Sequence, residues 1–512
     1  MSRKLSRREF LKLLAGVSPG VYLSRFAQGP SRVLQDGGAK NVLIIVFDAL
    51  SAKNISLYGY PRETMPNLAR MAERATVYHN HYAGGNWTIP GTASLLTGTY
   101  PWTHRALNGR VIEERRHKTI FSVFDRYYRV AYSHNSLVNN HLNAFISDIN
   151  YLKPQRELLL RNDLAFDRFF SNDYDLASVA WERAVKNGET GYSYSLFFSN
   201  LYDEYSQQKI GELSQLFPRG VPRFGQDNYF LLEEGIDWLK SQLTNTPQPF
   251  LGYFHFLPPH HPYNPRREFI TIFRGDGVSY LIDKPKSIFS EKLEINLKSQ
   301  AWIRQQYDEF ILFADEELGR LYDYLLESHL VDNTWIVLTS DHGEMNERGI
   351  RGHNTPVLYE PVIRIPLLIL EPGQVRRRDV YSATSAVDVL PTLAKVTGQE
   401  VPEWVEGRVL PPFSEEAADE NRSVYAVEAK QSKEGEVLSP VTTMLVKGKH
   451  KLMYFSGYEE LGEAGSHLEQ YDLEEDPEEM DNVYNPQSSL SQEFREELDE
   501  KIREADKPYQ KD

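Results

Sequence analysis

The sequence predicts an α/β fold in which a large, mostly parallel sheet is followed by a small antiparallel sheet near the carboxyl terminus. Two short apolar runs, Val42 to Phe47 and Trp335 to Leu338, have the composition of strands that are buried on both faces. From Ser423 onward the residues alternate in the manner of antiparallel strands. A chain of 512 residues, 41% of them hydrophobic, is long enough to bury an extensive core in more than one domain.

The helices of this fold are expected where apolar residues recur at helical spacing. The clearest such pattern runs from Asp308 to Leu326. The predicted helices are Glu233 to Leu243, Leu297 to Ser328 and a last helix from Leu490 to Ala505. Glu-rich runs in the last helix are typical of a solvated face.

The chain divides into four predicted parts. We expect a signal peptide over 1–30, a polar linker over 31–39, the main α/β domain over 40–405 and a C-terminal α+β subdomain over 406–512. Within the main domain, residues 150–230 are rich in Tyr, Phe, Asn and Asp. Such an insertion either forms a pocket wall or lid, or packs its aromatic rings on the core.

The amino terminus predicts export. Residues 6–12 (SRREFLK) match a twin-arginine signal, which implies the twin-arginine export machinery as a partner and a periplasmic, extracellular or cell-surface location. The apolar region that follows, Leu11 to about Phe26, is too short and interrupted to span a membrane, and we expect no transmembrane span in the mature chain. Cleavage of the signal and its retention as an anchor both remain open. With no cysteine, the chain can form no disulfide.

The net charge of -15 argues against a nucleic-acid partner, which would require a basic face. It also provides no general attraction for sulfated or phosphorylated polymers. Basic groups that bind such a substrate would have to be local to the site.

Polar residues at the predicted strand ends indicate a metal site. Asp48 and the pair Asp341-His342 follow the two apolar runs, and Thr88 stands just ahead of a predicted helix. Ligands bind beyond the carboxyl ends of strands in open α/β sheets, and a helix start favours an anion. Each residue alone has a plainer explanation as a turn or cap residue. Together they would suit one divalent cation, with Asp48, Thr88, Asp341 and His342 as ligands.

Several segments resemble the sulfatase branch of the alkaline-phosphatase-like superfamily, in the family's order over roughly residues 40 to 485. The resemblance implies an αβα sandwich and a catalytic domain over 40–405, with little likeness across 150–230. Thr384 to Val396 (TSAVDVLPTLAKV) resembles the family's late helix, so a helix is expected there as well. The matching segments are NVLIIVFDALSAKNISLYGYPRETMPNLARMAERATVYHNHYA, TIPGTASLLTGTYP, FLGYFHFLPPHHPYNP, WIVLTSDHGE, GHNTPVLYEPVIRIPLLI and YDLEEDPEEMDNV.

The departures from the sulfatase pattern concern the nucleophile and the metal. Thr88 stands where the family has the Cys or Ser that becomes formylglycine, and Thr92 replaces the motif's Arg. Ala49 replaces one carboxylate, and His342 stands where Asn is commoner. This ligand set resembles that of bacterial phosphoglycerol and phosphoethanolamine transferases, which use a Thr nucleophile on one metal.

The resemblance also implies roles for five histidines. His260 matches the family's substrate-contacting His, and we expect it and His353 to act with Thr88 in catalysis. His255 and His261 lie beside His260, and His134 aligns loosely with another family position, so these three are expected to bind substrate.

One divalent metal is expected as cofactor. A His ligand beside few carboxylates favours Mn or Zn, while Ca, which the family's sulfatases use, or Mg remains possible.

Three functions remain open on the sequence. The favoured one is an exported, metal-dependent hydrolase that cleaves sulfate or phosphate esters of small molecules or glycans through Thr88. The second is a transferase or phosphodiesterase of the phosphoglycerol and phosphoethanolamine type, acting on envelope glycans or lipids. The third is a binding module without activity, which the conjunction of Asp48, Thr88, Asp341 and His342 disfavours.

Overall fold

The structure is a computed structural model of the chain and describes residues 38–160, 204–205, 207–225, 228–278, 282–290, 297–415 and 419–510. The predicted export signal and all but the last residues of the linker lie outside these ranges. So does the centre of the predicted insertion, residues 161–203. Among the described residues, no helix has both the length and the apolar composition needed to cross a bilayer.

The strands and helices of the described ranges are numbered in chain order. The strands are β1 (Asn41–Phe47), β2 (Thr76–Tyr78), β3 (His81–Tyr82), β4 (Tyr128–Ser133), β5 (Tyr151–Leu152), β6 (Arg223–Phe224), β7 (Asn228–Tyr229), β8 (Phe250–Phe256), β9 (Thr334–Thr339), β10 (Asn346–Glu347), β11 (Ile350–Arg351), β12 (Leu367–Leu370), β13 (Arg378–Val380), β14 (Thr384–Ser385), β15 (Ser423–Glu428), β16 (Val441–Lys447), β17 (His450–Ser456) and β18 (Ser466–Asp472). The helices are α1 (Pro66–Ala72), α2 (Thr88–Thr97), α3 (Pro101–His104), α4 (Ile120–Val123), α5 (Ser136–Ala144), α6 (Leu232–Asn245), α7 (Leu297–Glu327), α8 (Glu360–Ile363), α9 (Val389–Val396) and α10 (Ser489–Asp506).

A large sheet forms the centre of the fold, with strand order β13-β2-β12-β9-β1-β8-β4-β5. Its pairings are parallel except for those of β12, which runs antiparallel to both β9 and β2. The prediction of a large, mostly parallel sheet is therefore confirmed. All seven residues of β1 are buried, as expected for a strand covered on both faces.

Helices cover both faces of this sheet. Side chains alternate along β1, so that Leu43, Ile45 and Phe47 face the layer of α1, α6 and α7. Val42, Ile44 and Val46 face the opposite layer, which contains α2, α5 and α9. Two separate apolar cores result, and the αβα sandwich is confirmed.

A second sheet of order β15-β16-β17-β18 is antiparallel throughout and packs against α10, which confirms the small C-terminal sheet. It adjoins the main sheet's layer through the hydrogen bond from Val427 N to Gly84 O, at 2.9 Å. A buried ion cluster reinforces the junction, since Lys451 Nζ lies 3.2 Å from Glu360 Oε1 and 2.7 Å from Glu479 Oε1.

Predicted and observed helices agree closely for α6, α7 and α10, whose bounds differ from expectation by one or two residues. The region Thr384 to Val396 differs at its start. Thr384 and Ser385 form β14, and the helix α9 begins only at Val389. The side chains of Ser385 and Asp388 each bond the other's backbone, and this reciprocal cap forms the turn between strand and helix.

Candidate active site

Three strand ends meet at one edge of the central sheet. The register pairs Val46 of β1 with His255 of β8 and with Thr339 of β9, so the carboxyl ends of these parallel strands are level. Asp48 directly follows β1, His255 lies near the end of β8, and Asp341 comes two residues after β9. This is the edge at which open α/β sheets bind their ligands.

The side chains of Asp48, His255 and Asp341 form a fully buried cluster whose nearest ligand-type atoms all lie within 4.8 Å of one another. His255 Nε2 is 3.2 Å from Asp48 Oδ2 and 3.7 Å from Asp341 Oδ2. The other ring nitrogen of His255, Nδ1, is 2.9 Å from the hydroxyl of Tyr253. A hydrogen bond on the far side of an imidazole orients the nitrogen that can bind a metal.

The positions of the two carboxylates suit a cation bound between them. Asp48 Oδ1 and Asp341 Oδ2 are buried, and neither has a hydrogen-bond partner among the described residues. A buried charged oxygen without a partner is costly, and a metal ion at this position would satisfy both. The donor set of two carboxylates and imidazole suits Mn or Zn, and it is less suited to Ca.

His342 joins this cluster from the turn after β9. Its Nε2 lies 3.5 Å from Asp48 Oδ1 and 3.6 Å from Asp341 Oδ2. Its Nδ1 lies 2.8 Å from the carbonyl oxygen of Gly343, to which it can only donate. The lone pair of neutral His342 is therefore on Nε2, the nitrogen that faces the carboxylates. The structure thus brings His342 to the predicted metal position.

Thr88 is the first residue of α2 and points into the same cluster. Its Oγ1 is 3.4 Å from His342 Nε2, and the side-chain amide of Asn135 lies 3.4 Å away on another side. The residue is 2% exposed, which removes the hydroxyl from bulk water. The structure therefore assembles Asp48, Thr88, Asp341 and His342, the four predicted ligands, in one buried site.

Gly91 permits this close assembly. A Cβ atom at this position would lie 2.2 Å from the carbonyl oxygen of Asp341. Any side chain would push the first turn of α2 away from the turn after β9. The glycine in TIPGT therefore sets the distance between Thr88 and the Asp341-His342 pair.

Asn135 is a site residue that the sequence reasoning missed. Its Nδ2 donates a 2.6 Å hydrogen bond to Asp48 Oδ2, while its Oδ1 accepts from Leu137 N and so caps α5. It follows β4, which lies beside β8 in the sheet. A polar residue just after a buried strand was the available signal, and it is the same signal that identified Asp48.

Two predicted catalytic histidines extend from the cluster towards solvent. The ring centroid of His353 is 4.3 Å from that of His342 and 5.0 Å from that of His260. His353 is buried and its Nδ1 lies 3.3 Å from both carboxylate oxygens of Glu344, a second residue that the sequence reasoning missed. His260 is half-buried, at the outer end of this row of three rings.

The three histidines that were expected to bind substrate occupy different places. His255 lies in the cluster with its Nε2 facing both carboxylates, a position in which it could hold a metal ion. His261 is exposed outside the cluster, with its ring edge against Tyr263. For His134 the structure contradicts a substrate contact. Its fully buried ring stacks on Phe230 and packs beside Phe256 on the α6 side of the sheet, away from Thr88.

The pKa shifts of the buried groups arise from burial and from the charges that lie close to them. Burial raises the pKa of Asp341, and the neighbouring charge of Asp48 raises it further. Burial acts the same way on Asp48, but the charge of His260 and hydrogen bonds from His255 and His342 hold its pKa well below the usual value. Burial alone would lower the pKa of His342, whereas the charges of Asp341 and Asp48 raise it to about 9. The pocket thus has a strong preference for positive charge between the two carboxylates.

One cation from the C-terminal region also reaches the rim of the site. Lys430, just after β15, lies 4.1 Å from the ring centroid of Trp87, the residue before Thr88. Its Nζ donates to the side chain of Asn354 at 2.5 Å, next to His353. Burial lowers the pKa of Lys430. No sequence pattern predicts a site role for Lys430, because only the packing of the second sheet places it there.

The chain is similar to known sulfatases over most of its length. Residues 40–399 match the profile of the family described as sulfatase, and residues 352–507 match the C-terminal region of N-sulphoglucosamine sulphohydrolase. The choline-sulfatase of Rhizobium meliloti is 24% identical over 89% of this chain and 84% of its own length. The arylsulfatase of Clostridium perfringens is also 24% identical, over 90% of this chain and 92% of its own length.

Solved structures share the fold over nearly the whole chain. The phosphonate monoester hydrolase of Agrobacterium radiobacter superimposes with a TM-score of 0.63 at 17% identity, covering 91% of this chain and 95% of its own. A protein solved with its substrate D-glucosamine-2-N,6-O-disulfate gives a TM-score of 0.63 at 18% identity, covering 93% of this chain and all of its own. The family profile spans most of the chain, and the chain belongs to the sulfatase family of the alkaline-phosphatase-like superfamily.

Proposed function

We propose that this protein is an exported, metal-dependent hydrolase that cleaves sulfate esters with the hydroxyl of Thr88 as nucleophile. The observation that carries the proposal is the shared, buried position of Thr88 Oγ1, His342 Nε2 and the partner-less carboxylate oxygens of Asp48 and Asp341. Membership of the sulfatase family supports the reaction class. The chain has no cysteine and carries Thr at the nucleophile position, so the nucleophile proposed is an unmodified hydroxyl.

Asp48, His255, Asp341 and His342 would hold the divalent cation. Such an ion lowers the pKa of a hydroxyl beside it and withdraws charge from an ester oxygen, which a weak nucleophile such as Thr requires. The side chains of Asn135 and Tyr253 would hold Asp48 and His255 in position through their hydrogen bonds.

The reaction that these residues support has two steps. Thr88 Oγ1 releases its proton to solvent and forms a bond to sulfur, while the bond from sulfur to the leaving oxygen breaks on the opposite side. The leaving alcohol then takes a proton from a group on the open side of the site. Water next attacks sulfur and releases sulfate, which restores the Thr88 hydroxyl.

His260 is suited to both proton transfers, because its ring is the one of the three neighbouring imidazoles that reaches solvent. It would act as an acid towards the leaving alcohol and then as a base towards water. His353 would position His260, since it lies between His260 and His342 and is bonded to Glu344. Burial lowers the pKa of His353 to about 4, so this ring is neutral when it packs against His260.

A phosphate ester is the second candidate substrate. A phosphate ester is favoured by the combination of a nucleophilic Thr with two Asp and imidazole. It is also favoured by Ala49, which stands where the sulfatase pattern has a further carboxylate. The corresponding alternative is a transferase or phosphodiesterase that acts on envelope glycans or lipids. Two matched relatives are named choline-sulfatase and arylsulfatase, and these names favour a sulfate ester over a phosphate ester.

The natural substrate is proposed to be a small molecule or a glycan ester, met after twin-arginine export. The motif at residues 6–12 supports export, and the sugar disulfate bound by one structural relative supports a glycan ester.

The test is a parallel assay of an aryl sulfate, a phosphate monoester and a phosphodiester with Mn, Zn, Ca and Mg. We expect the sulfate ester to be hydrolysed fastest and Mn or Zn to be the better metals. Thr88→Ala and Thr88→Val should lose turnover by a factor on the order of 10⁴ or more, while Thr88→Ser keeps the hydroxyl and measurable activity. Full activity in Thr88→Ala would refute the nucleophile, and a faster phosphodiester than sulfate reaction would overturn the choice of ester.

A further inference from the structure

A second pocket lies beside the candidate active site. It has a volume of about 350 Å³, within the range of roughly 300–1,000 Å³ that is common for small-molecule sites. The residues that matter here are Arg219, His261, Tyr263, Asn264, Trp302 and Arg351. We call this pocket the arginine–tryptophan pocket.

Two chain segments connect this pocket directly to the active site. His261 of the pocket follows His260, whose Nδ1 donates to the His261 carbonyl oxygen at 2.6 Å. Arg351 of the pocket is two residues before His353, whose ring packs against His260. The arginine–tryptophan pocket therefore adjoins His260 and His353 through neighbouring residues of the same two segments.

The pocket carries positive charge in a strongly acidic protein of net charge -15. Arg351 is exposed and forms no ion pair with any described residue. Arg219 is bonded to Glu309 at 2.6 Å through Nη2, but its Nη1 has no hydrogen-bond partner among the described residues. The guanidinium of Arg351 therefore has donors available for a carboxylate, sulfate or phosphate group, whereas Arg219 is paired with Glu309 and its Nη1 is buried.

The pocket also carries an exposed ring. Trp302 lies in the first turns of α7 and is 60% exposed, although most tryptophan side chains are largely buried. A flat aromatic face beside hydrogen-bond donors is suited to the apolar face of a sugar ring. Asn264 and Tyr263 supply polar atoms on the facing wall.

We infer that the arginine–tryptophan pocket binds the leaving-group side of the substrate, and that this part is a sugar residue bearing a second anionic group. The inference rests on the proposed function for the position of the cleaved ester. Trp302 stacks on the sugar ring, and Arg351 binds the anion. Specificity for a dianionic sugar ester therefore lies outside the residues that perform the chemistry.

The experiment compares glucosamine 6-sulfate with the same sugar carrying an additional N-sulfate. Wild-type protein should prefer the disulfated sugar in kcat/KM. Arg351→Gln should reduce that preference about tenfold, mainly through KM, because a charge-assisted hydrogen bond to the second anion is lost. Trp302→Ala should raise KM for both sugars by a similar factor and leave the preference unchanged, because both sugars present the same ring to the tryptophan. Arg376→Gln removes an exposed arginine near β13, outside the pocket, and is the matched control that should keep the wild-type ratio.

Binding separates this inference from the proposed function. Calorimetric titration of the disulfated sugar into the Thr88→Ala variant requires no turnover. Adding Arg351→Gln to that variant should weaken the affinity about tenfold, whereas adding Arg376→Gln should not. Unchanged affinity with Arg351→Gln would overturn the assignment of the pocket as the binding site of the second anion, even if sulfate esters are cleaved. Weakened affinity would support the pocket even if the cleaved ester is a phosphate.

Discussion

Asn135 donates its side-chain amide to Asp48 Oδ2 at 2.6 Å and so joins two residues that are 87 positions apart in the chain. The bond leaves Asp48 Oδ1 as the partner-less oxygen that faces His342. Asn135 thereby determines which oxygen of the carboxylate is available to a cation. Such supporting hydrogen bonds are a large part of a metal site's affinity.

Asn135→Ser should separate this role from helix capping. A Ser side chain can still accept the bond from Leu137 N at the start of α5, but it is too short to reach Asp48. We expect metal affinity to fall by roughly 10- to 100-fold with thermal stability of the metal-free protein little changed. Titration calorimetry with Mn or Zn measures the affinity. Asn135→Asp keeps the cap as well, and unaltered metal binding in both variants would contradict the assigned role.

Gly91→Ala should damage both stability and activity. The new methyl group would lie 2.2 Å from the carbonyl oxygen of Asp341, so the start of α2 must move. We expect a loss of about 1–3 kcal/mol in the free energy of unfolding, as in other overpacked sites, with a larger relative loss of kcat. Gly109→Ala is the matched control, since a methyl group there meets nothing within 4 Å. A Gly91→Ala variant that behaves like Gly109→Ala in denaturation and in turnover would be inconsistent with this packing.

Removal of metal should lower stability as well as abolish activity. Without a cation, the buried carboxylates of Asp48 and Asp341 share one pocket, and each has an oxygen without a partner. Chelation should therefore lower the melting temperature, and Mn or Zn should restore it more fully than Ca. Differential scanning calorimetry at several metal concentrations gives the shift. The Asp341→Asn variant should show a much smaller shift, and a metal-independent melting temperature in the wild type would argue against the site.

Asp315 should lower the free energy of unfolding as the pH rises from about 4 to 7, which is the opposite of the usual effect of a carboxyl group. Burial raises its pKa from 3.8 to about 7, although the amides of Asn67 and Leu68 bond its carboxylate and oppose the shift. A carboxyl whose pKa is higher in the folded than in the unfolded state stabilises the fold most below about pH 4, and this contribution is lost as the pH rises to 7.

Asp315→Asn removes that titration. The free energy of unfolding of the variant, relative to wild type, should therefore increase steadily between about pH 4 and pH 7 in denaturant titrations. Asp323→Asn, an exposed change on the same helix α7, should leave the relative value flat. A flat difference for Asp315→Asn as well would show that Asp315 does not titrate in this range.

Much of the site could be predicted because it lies at strand ends. Asp48 and Asp341-His342 follow strands that are apolar on both faces, and parallel strands bring their carboxyl ends to one edge. Thr88 was recognisable from its place at a helix start. His255 was recognised but given another role, since its position within β8 does not reveal that its ring and the two carboxylates point to the same face.

His134 shows where such prediction fails. It directly precedes Asn135 in the chain, yet the two side chains lie on opposite sides of the sheet, one among aromatic rings and one on Asp48. A loose motif alignment cannot resolve this difference, because side chains alternate along an extended chain and a shift of one residue exchanges the faces.

The sequence by itself determined the α/β class and the positions of the main strands and helices, because these depend on local periodicity. It also identified Asp48, Thr88, Asp341 and His342 as candidate ligands, because each of them belongs to a short motif. Only the tertiary structure decided that Asn135 supports Asp48, that Glu344 holds His353 and that Trp302 and Arg351 form a pocket beside His260. These relationships join residues from separate elements, and their distances depend on how the strands pair and the helices pack.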